Sequence, residues 1–530
     1  MTREPQPPRL WPWAILWAIL FAVAHGQSPE FYSNQHQYLL HGLAKAGLGH
    51  LADDWLAKTQ DPTPMFTALV DGLYTVAGTF GLQAVFFVLL GAYFESMRRL
   101  VETLPGMTQR GTTWFLLAFV AIHAAVLRVA SVWLTGVDYP WYLQAGLAAQ
   151  YLLGPGLQPS AFGIFLIFSL TAFARGRPVL AAGLAAVAAV MHSTYLLPAG
   201  LLTVGYLVEL LRTRHRIHAL MAGALALAVV LPALAYDVWT FVPDDSGQLQ
   251  EAQRILAEVR IPHHTVVGNW LDSVAVIQIV IMVAGLCALR RTRLFWPLTI
   301  PAVVSAVLSV VQVLTKNDSL ALLFPWRFSV VLMPVAVAVL LAKLASRLSD
   351  GRVGDRIALA LAMLLAIGGI WVTATGRGYR VNEAEAPLLQ HVRDTMQPGD
   401  VYLVPTKFAT LKPEKPTSQS KTFVPPVRTG QTGIPVDLQR FRLATGAPIY
   451  IDFKAVPYAP AEVIEWHTRV ANCERWYKQR DWDVSKVIDE VRAAGITHVI
   501  TTADKDVTSR ELELVYPDES YRVYRVRKGH

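Results

Sequence analysis

The sequence predicts a polytopic α-helical membrane protein with about eleven transmembrane helices and a C-terminal soluble α/β domain. Three observations carry this. The chain is 53% hydrophobic and only 16% charged, with a mean hydropathy of +0.36, whereas soluble domains carry about 25% charged residues. Apolar segments of roughly the length needed to span a bilayer recur down to about residue 375. The basic residues between them fall into alternate connections.

The apolar segments lie at roughly 10–24, 76–93, 114–134, 160–174, 179–191, 195–211, 218–236, 271–289, 295–314, 324–344 and 357–375. With the N-terminus (Arg3, Arg9) placed inside, the inside connections hold Arg98, Arg99 and Arg110; Arg175 and Arg177; Arg212, Arg214 and Arg216; Arg290, Arg291 and Arg293; and Lys343, Arg347, Arg352 and Arg356. The outside connections hold only Lys45, Lys58, Arg254, Arg260 and Lys316. This alternation makes the N-terminus cytoplasmic and the C-terminus extracytoplasmic. Residues 1–24 also fit a signal peptide, with small residues at Ala22 and Ala24; the connection that follows is outside either way. The domains are therefore 1–375, membrane-embedded with an extracytoplasmic first loop at 25–75, and 376–530, an extracytoplasmic soluble domain.

In the second domain, 401–405 and 448–453 read as strands, 460–480 and 484–494 as helices, 498–502 as a strand, and 513–526 as a closing hairpin. Residues 406–435 form a long basic stretch without apolar periodicity, suited to anionic headgroups.

Composition also excludes some functions. The net charge of +8 is no nucleic-acid signal, because the basic residues sit in short clusters between apolar runs. Two isolated cysteines, Cys287 and Cys473, make neither a metal motif nor a disulfide framework. The soluble domain has neither a phosphate-binding G-x-x-x-x-G-K-[ST] nor a G-x-S-x-G nucleophile turn.

Candidate chemistry concentrates on the outside connections. In the first loop, Asp54 lies four residues from His50 and Asp53 three, so a helix would bring them to one face. A carboxylate there can act as general base on an acceptor hydroxyl, or bind a divalent metal together with His50; it can equally be a solvated loop acid. Arg128 falls inside an apolar segment, where its charge needs a cavity or a partner. Arg327, in Phe324-Pro325-Trp326-Arg327-Phe328, sits at the outer end of the tenth segment, placed to hold a lipid phosphate or to anchor the interface. Asp138, His192 and Arg260 share that side. The stretch Phe441 to Lys454 mixes charges with a strand and reads either as a buried strand or as a site wall.

This layout resembles the GT-C type of polytopic glycosyltransferase, which includes the protein O-mannosyltransferases. The likeness rests on the first-loop acids Asp53-Asp54, the number of segments, the C-terminal α/β domain and the ending Leu512-Glu513-Leu514-Val515-Tyr516. It implies a multi-pass protein of the bacterial inner membrane that moves a sugar from a polyprenyl-phosphate donor to an acceptor on the extracytoplasmic side. Asp54, with Asp53 as alternate, would be the base; Arg327 or Arg260 would hold the phosphate. Where many such loops carry an acid near the end of the first span, this one reads Ser33-Asn34-Gln35-His36, so His36 or Glu30 would stand in its place. The stretch Arg442-Leu443-Ala444-Thr445-Gly446-Ala447-Pro448 and the residues after it also resemble bacterial multi-pass membrane proteins of unknown function. A non-enzymatic envelope scaffold, and a polysaccharide polymerase (in which His192 would gain weight) or a transporter, remain the alternatives.

Overall fold

The computed structural model describes residues 11–107, 109–347, 352–409 and 437–527. Each of the eleven apolar segments is helical. Six helices are long and apolar enough to cross a membrane: Pro64–Val101, Ser193–Arg212, Arg216–Thr240, Phe295–Thr315, Asp318–Ala345 and Gly354–Thr375. Gly111–His123 and Ala125–Thr135 make a seventh candidate, bent by 56°. Trp13–His25, Pro159–Ala174, Pro178–Met191 and Ser273–Leu289 are apolar but shorter. Length and composition thus support six spans, or seven with the bent pair, and leave the expected eleven as an upper reading.

Two breaks change the expected picture. Gly78, at φ 58° and ψ −148°, interrupts Pro64–Val101, so the end of the first loop is itself a helix. Gly42 packs under it, where an added Cβ would meet Val70 at 2.6 Å. The third segment breaks at Ala124, whose ψ of 123° is extended. Arg128 follows the break. It donates through Nε and Nη2 to Asp138 at 3.0 and 2.9 Å and lies 4.5 Å from the Trp141 ring centroid. Two residues singled out as binding candidates therefore neutralise each other.

The C-terminal domain holds a four-stranded sheet of β1 (Tyr402–Leu403), β2 (His498–Thr502), β3 (Leu512–Pro517) and β4 (Tyr521–Val526) in the order β1-β2-β4-β3. β1 and β2 are parallel; β2–β4 and β3–β4 are antiparallel. The expected strand at 448–453 is reduced to one bridge, Tyr402 to Ile449, because the chain turns away to seat Asp452. The helix Pro460–Tyr477 covers the sheet and buries Trp466 and Trp476. The Trp466 indole donates to the Asp452 carbonyl at 3.0 Å. Most of the basic stretch 406–435 lies outside the described residues.

This domain docks on the first loop. Gly49 (φ +53°) and Gly446 (φ +77°) touch backbone to backbone, and the His50 amide donates to the Gly446 carbonyl at 2.8 Å. A Cβ on Gly49 would lie 2.5 Å from that carbonyl oxygen. Gly49→Ala combines this clash with an unfavourable φ, and is expected to destabilise docking by about 1–3 kcal/mol. Faster proteolysis of the C-terminal domain in the detergent-purified protein would show it; unchanged digestion would refute it.

Candidate functional site

At the end of the helices that carries the C-terminal domain, six chain segments close around a cavity of about 420 Å³, a size typical of small-ligand pockets. The first loop supplies Asn34, Gln37 and Tyr38. The stretch leading into Pro159–Ala174 supplies Gln150, Tyr151, Gln158 and Ser160, and the turn after Pro178–Met191 supplies His192, Ser193 and Thr194. Arg260, His263 and His264 come from one further connection, Phe324 and Arg327 from another, and Lys454, Val456 and Tyr458 from the C-terminal domain.

Local backbone geometry aims the cations inward. The helix Ser246–Arg254 packs its Ala252 on the C-terminal core, then widens into a π-helical turn, Ile255–Arg260, that ends on Arg260. Such turns often occur at functional sites. Arg260 is 4% exposed, donates through Nη2 to the Lys454 carbonyl, and lies 5.5 Å from the Phe453 ring. Phe324 takes a left-handed conformation (φ 50°, ψ 61°) immediately before Pro325, where extended backbone is the norm. That strain starts the 3-10 turn Pro325–Phe328, which presents Arg327. Ala148 and Ala149, next to Gln150, also have positive φ, 55° and 54°. Strained residues of this kind, at about 1–3 kcal/mol each, cluster where function holds them.

Arg327 donates to His192 Nε2 at 3.3 Å and lies 5.5 Å from the Tyr195 ring. His192 then accepts at Nε2, so its proton resides on Nδ1. His264 Nδ1 donates to the Ala148 carbonyl at 2.8 Å, and Tyr195 to the Ser160 carbonyl at 2.7 Å. Burial, then the neighbouring Arg260 guanidinium, pushes the Lys454 ammonium down to about 7; Asp452 opposes this. Among the described residues, no carboxylate lies within ion-pair distance of Arg260, Arg327 or Lys454, and no carboxylate lines the cavity. The N-terminal turn of Leu196–Arg212 also reaches it through Leu196 and Leu197, adding the positive end of a helix dipole. The cavity therefore presents the Arg260 and Arg327 guanidinium groups and the Lys454 amine, with no lining carboxylate among the described residues.

The first-loop acids lie elsewhere. Asp54 is fully buried. Its Oδ2 accepts from Arg442 Nε and from the Ile449 amide, both at 2.9 Å, and its Oδ1 from the Leu56 amide at 2.9 Å. Arg442 also donates to Asp452 at 2.6 Å. Asp54 is therefore one end of a buried clasp between the first loop and the C-terminal domain, which corrects its expected place as an open base. Asp53 is a surface acid 3.6 Å from Lys58. His50 precedes a 3-10 turn, Leu51–Asp53, rather than sitting in an α-helix. The expected His50–Asp54 metal pair does not form, since the Asp54 oxygens are already taken. Among the described residues no group of three or more His, Cys, Asp or Glu side chains is arranged to hold a metal ion.

His36 is 3% exposed, and its Nδ1 has no partner. Burial, then the charges of Lys454, Arg442 and Arg440, keeps it neutral far below the usual histidine range. It lies behind the cavity wall, not on it. Glu30 is exposed and accepts from Gln83 at 3.2 Å. Arg327, Arg260 and His192 converge on the cavity; Arg128 and Asp138 do not. Lys454, Gln150 and Gln158 were missed as site residues. The mixed-charge stretch that ends at Lys454 was the signal for the first; single glutamines beside apolar segments gave none.

Comparison with known proteins gives one family match. Residues 430–473 match the model of a domain of unknown function, DUF6798, a span that contains Arg442, Gly446, Asp452 and Lys454. No curated protein matches the chain. Among solved structures, the chain is similar to the mycobacterial arabinofuranosyltransferase AftD, with 15% identity and a TM-score of 0.42, over 100% of this chain and 42% of that one. It is also similar to ArnT from Cupriavidus metallidurans, solved with undecaprenyl phosphate, with 13% identity and a TM-score of 0.37, over 97% of each chain. The chain thus spans less than half the length of AftD. Similarity at this level assigns no activity.

Proposed function

We propose that this protein is a GT-C-like membrane glycosyltransferase that binds a polyprenyl-phosphate-linked sugar in the cavity, on the extracytoplasmic side. The observation that carries this reading is the meeting of Arg260, Arg327 and Lys454 in one pocket that no carboxylate lines among the described residues. Buried cations of this kind call for an anion, and arginine suits phosphate because its fork donates two parallel hydrogen bonds. In transfer, the acceptor oxygen bonds to the sugar C1 as the C1–O bond to phosphate breaks. The phosphate keeps the electron pair, stabilised by Arg260 and Arg327, and the acceptor proton passes to Lys454 in its neutral form, which thereby becomes the third cation facing the phosphate. Purified full-length protein in lipid nanodiscs is expected to bind undecaprenyl phosphate and to release it from its glycosylated form when an acceptor is present. Failure to bind the carrier lipid rejects the reading.

One observation favours a second reading. No carboxylate lines the cavity among the described residues, so a non-catalytic protein that holds the lipid is the alternative. Binding without sugar release under any acceptor would select it.

Lys454 makes binding depend on pH. Its charge is lost as pH rises through about 7, so affinity for the anionic lipid is expected to fall several-fold between pH 6 and 8.5. Stability moves the other way. The folded chain binds fewer protons than the unfolded one between about 7 and the ordinary lysine value of 10.5, so Lys454 favours folding increasingly as pH rises through that window. Lys454→Met should flatten the binding profile; an unchanged slope would exclude Lys454 as the titrating group.

A further inference from the structure

Beside the cations, the cavity carries a second kind of wall. Gln150, Gln158 and Ser160 are 4%, 2% and 6% exposed. Both side-chain polar atoms of Gln150, Nε2 of Gln158, and the hydroxyls of Ser160 and Thr194 are buried without a hydrogen-bond partner. Buried polar atoms are almost always paired, and each unpaired one costs about 1–3 kcal/mol. Five such atoms on four neighbouring cavity residues mark a place where a partner rich in hydrogen-bonding groups belongs. The guanidinium Nε atoms of Arg260 and Arg327 are unpaired in the same cavity.

The two sets differ in chemistry. The arginines can pair only with acceptors. The amides and hydroxyls offer donors and acceptors without net charge, which matches the hydroxyls of a sugar ring, each of them both donor and acceptor. A sugar bearing a free amine fits poorly. Its ammonium would enter a pocket that already holds three cations and, among the described residues, no lining carboxylate.

We infer that Gln150, Gln158, Ser160 and Thr194 form a subsite for an uncharged glycosyl group, so that the lipid-linked donor carries a neutral sugar (a hexose, pentose or N-acetylated sugar) and not a free amino sugar. This rests on the donor reading above and specifies its substrate class.

The test compares three lipids on the full-length protein in nanodiscs: bare undecaprenyl phosphate, its hexosyl ester and its 4-amino-4-deoxypentosyl ester. The hexosyl lipid is expected to bind about tenfold or more tighter than the bare lipid, the yield of a few added neutral hydrogen bonds. The amino-sugar lipid should bind no tighter than the bare one. In Gln150→Leu and Gln158→Leu the hexosyl-to-bare affinity ratio should fall toward one. Binding of the amino-sugar lipid as tight as that of the hexosyl lipid, or a ratio unmoved in both variants, overturns the neutral-sugar subsite while leaving the phosphate site standing. Absence of binding by the bare lipid overturns the donor reading, and this inference with it.

Discussion

Asp54→Ala is expected to lose about 3–5 kcal/mol of stability, the cost of stripping one partner from a buried ion pair. Arg442 is 3% exposed on its side chain and shared between Asp54 and Asp452. Removing Asp54 leaves that guanidinium with one carboxylate, and orphans the amides of Leu56 and Ile449 as well. The expected result is a lowered thermal midpoint in detergent and rapid proteolysis of the C-terminal domain. Asp54→Asn keeps an acceptor oxygen but not the charge, and should fall between Ala and the native protein. The double variant Asp54→Leu, Arg442→Met should recover much of the loss, because apolar replacement of a whole buried ion pair is often neutral or better. A stable Asp54→Ala protein that fails only in sugar transfer would restore Asp54 as the base.

The family resemblance implies a base at Asp54, and spacing alone leaves it a base, a metal ligand or a solvated acid; none of these anticipates a buried clasp, and the reason is physical. Two adjacent acids after an apolar segment look alike whether they face water or a guanidinium nearly four hundred positions later in the chain. Composition and charge alternation report on the bilayer, a solvent that constrains every residue in it, so the helical segments could be read directly. The first helix of the C-terminal domain, Ala386–Thr395, buries Leu388, Leu389 and Val392 on one face, but its ten residues give too short a stripe to be read the same way. Arg327 stands out in the sequence because it sits at the outer end of an apolar segment, and Arg260 because the outside connections hold few cations. Lys454 falls within the mixed-charge stretch 441–454 but is not singled out there, since its carbonyl contact with Arg260 and its burial arise only in the folded chain. The same holds for the Arg128–Asp138 pair: the bend at Ala124 that precedes them follows His123 and has no proline or glycine to mark it.

Arg327→Ala should separate binding from folding most sharply. Its guanidinium has no carboxylate partner among the described residues; it contacts His192, the Tyr195 ring and the Phe324 ring. Removing such a cation relieves like-charge repulsion in the cavity, so the variant is expected to be at least as stable as the native protein, in contrast to Asp54→Ala. Affinity for polyprenyl phosphate should nevertheless fall by about 2–4 kcal/mol, on the order of 30- to 1,000-fold, as expected when one partner of a buried, hydrogen-bonded charge pair is truncated. Arg327→Lys should recover only part of this, because an ammonium keeps the charge but loses the two-pronged fork and the stacking on Tyr195. Lipid binding and thermal unfolding measured on the same preparations decide the matter. An Arg327→Ala protein that binds the lipid normally places the phosphate elsewhere, and one that unfolds makes Arg327 a packing residue. Unaltered folding with lost binding would identify the residue whose strained approach through Phe324 serves the ligand and not the fold.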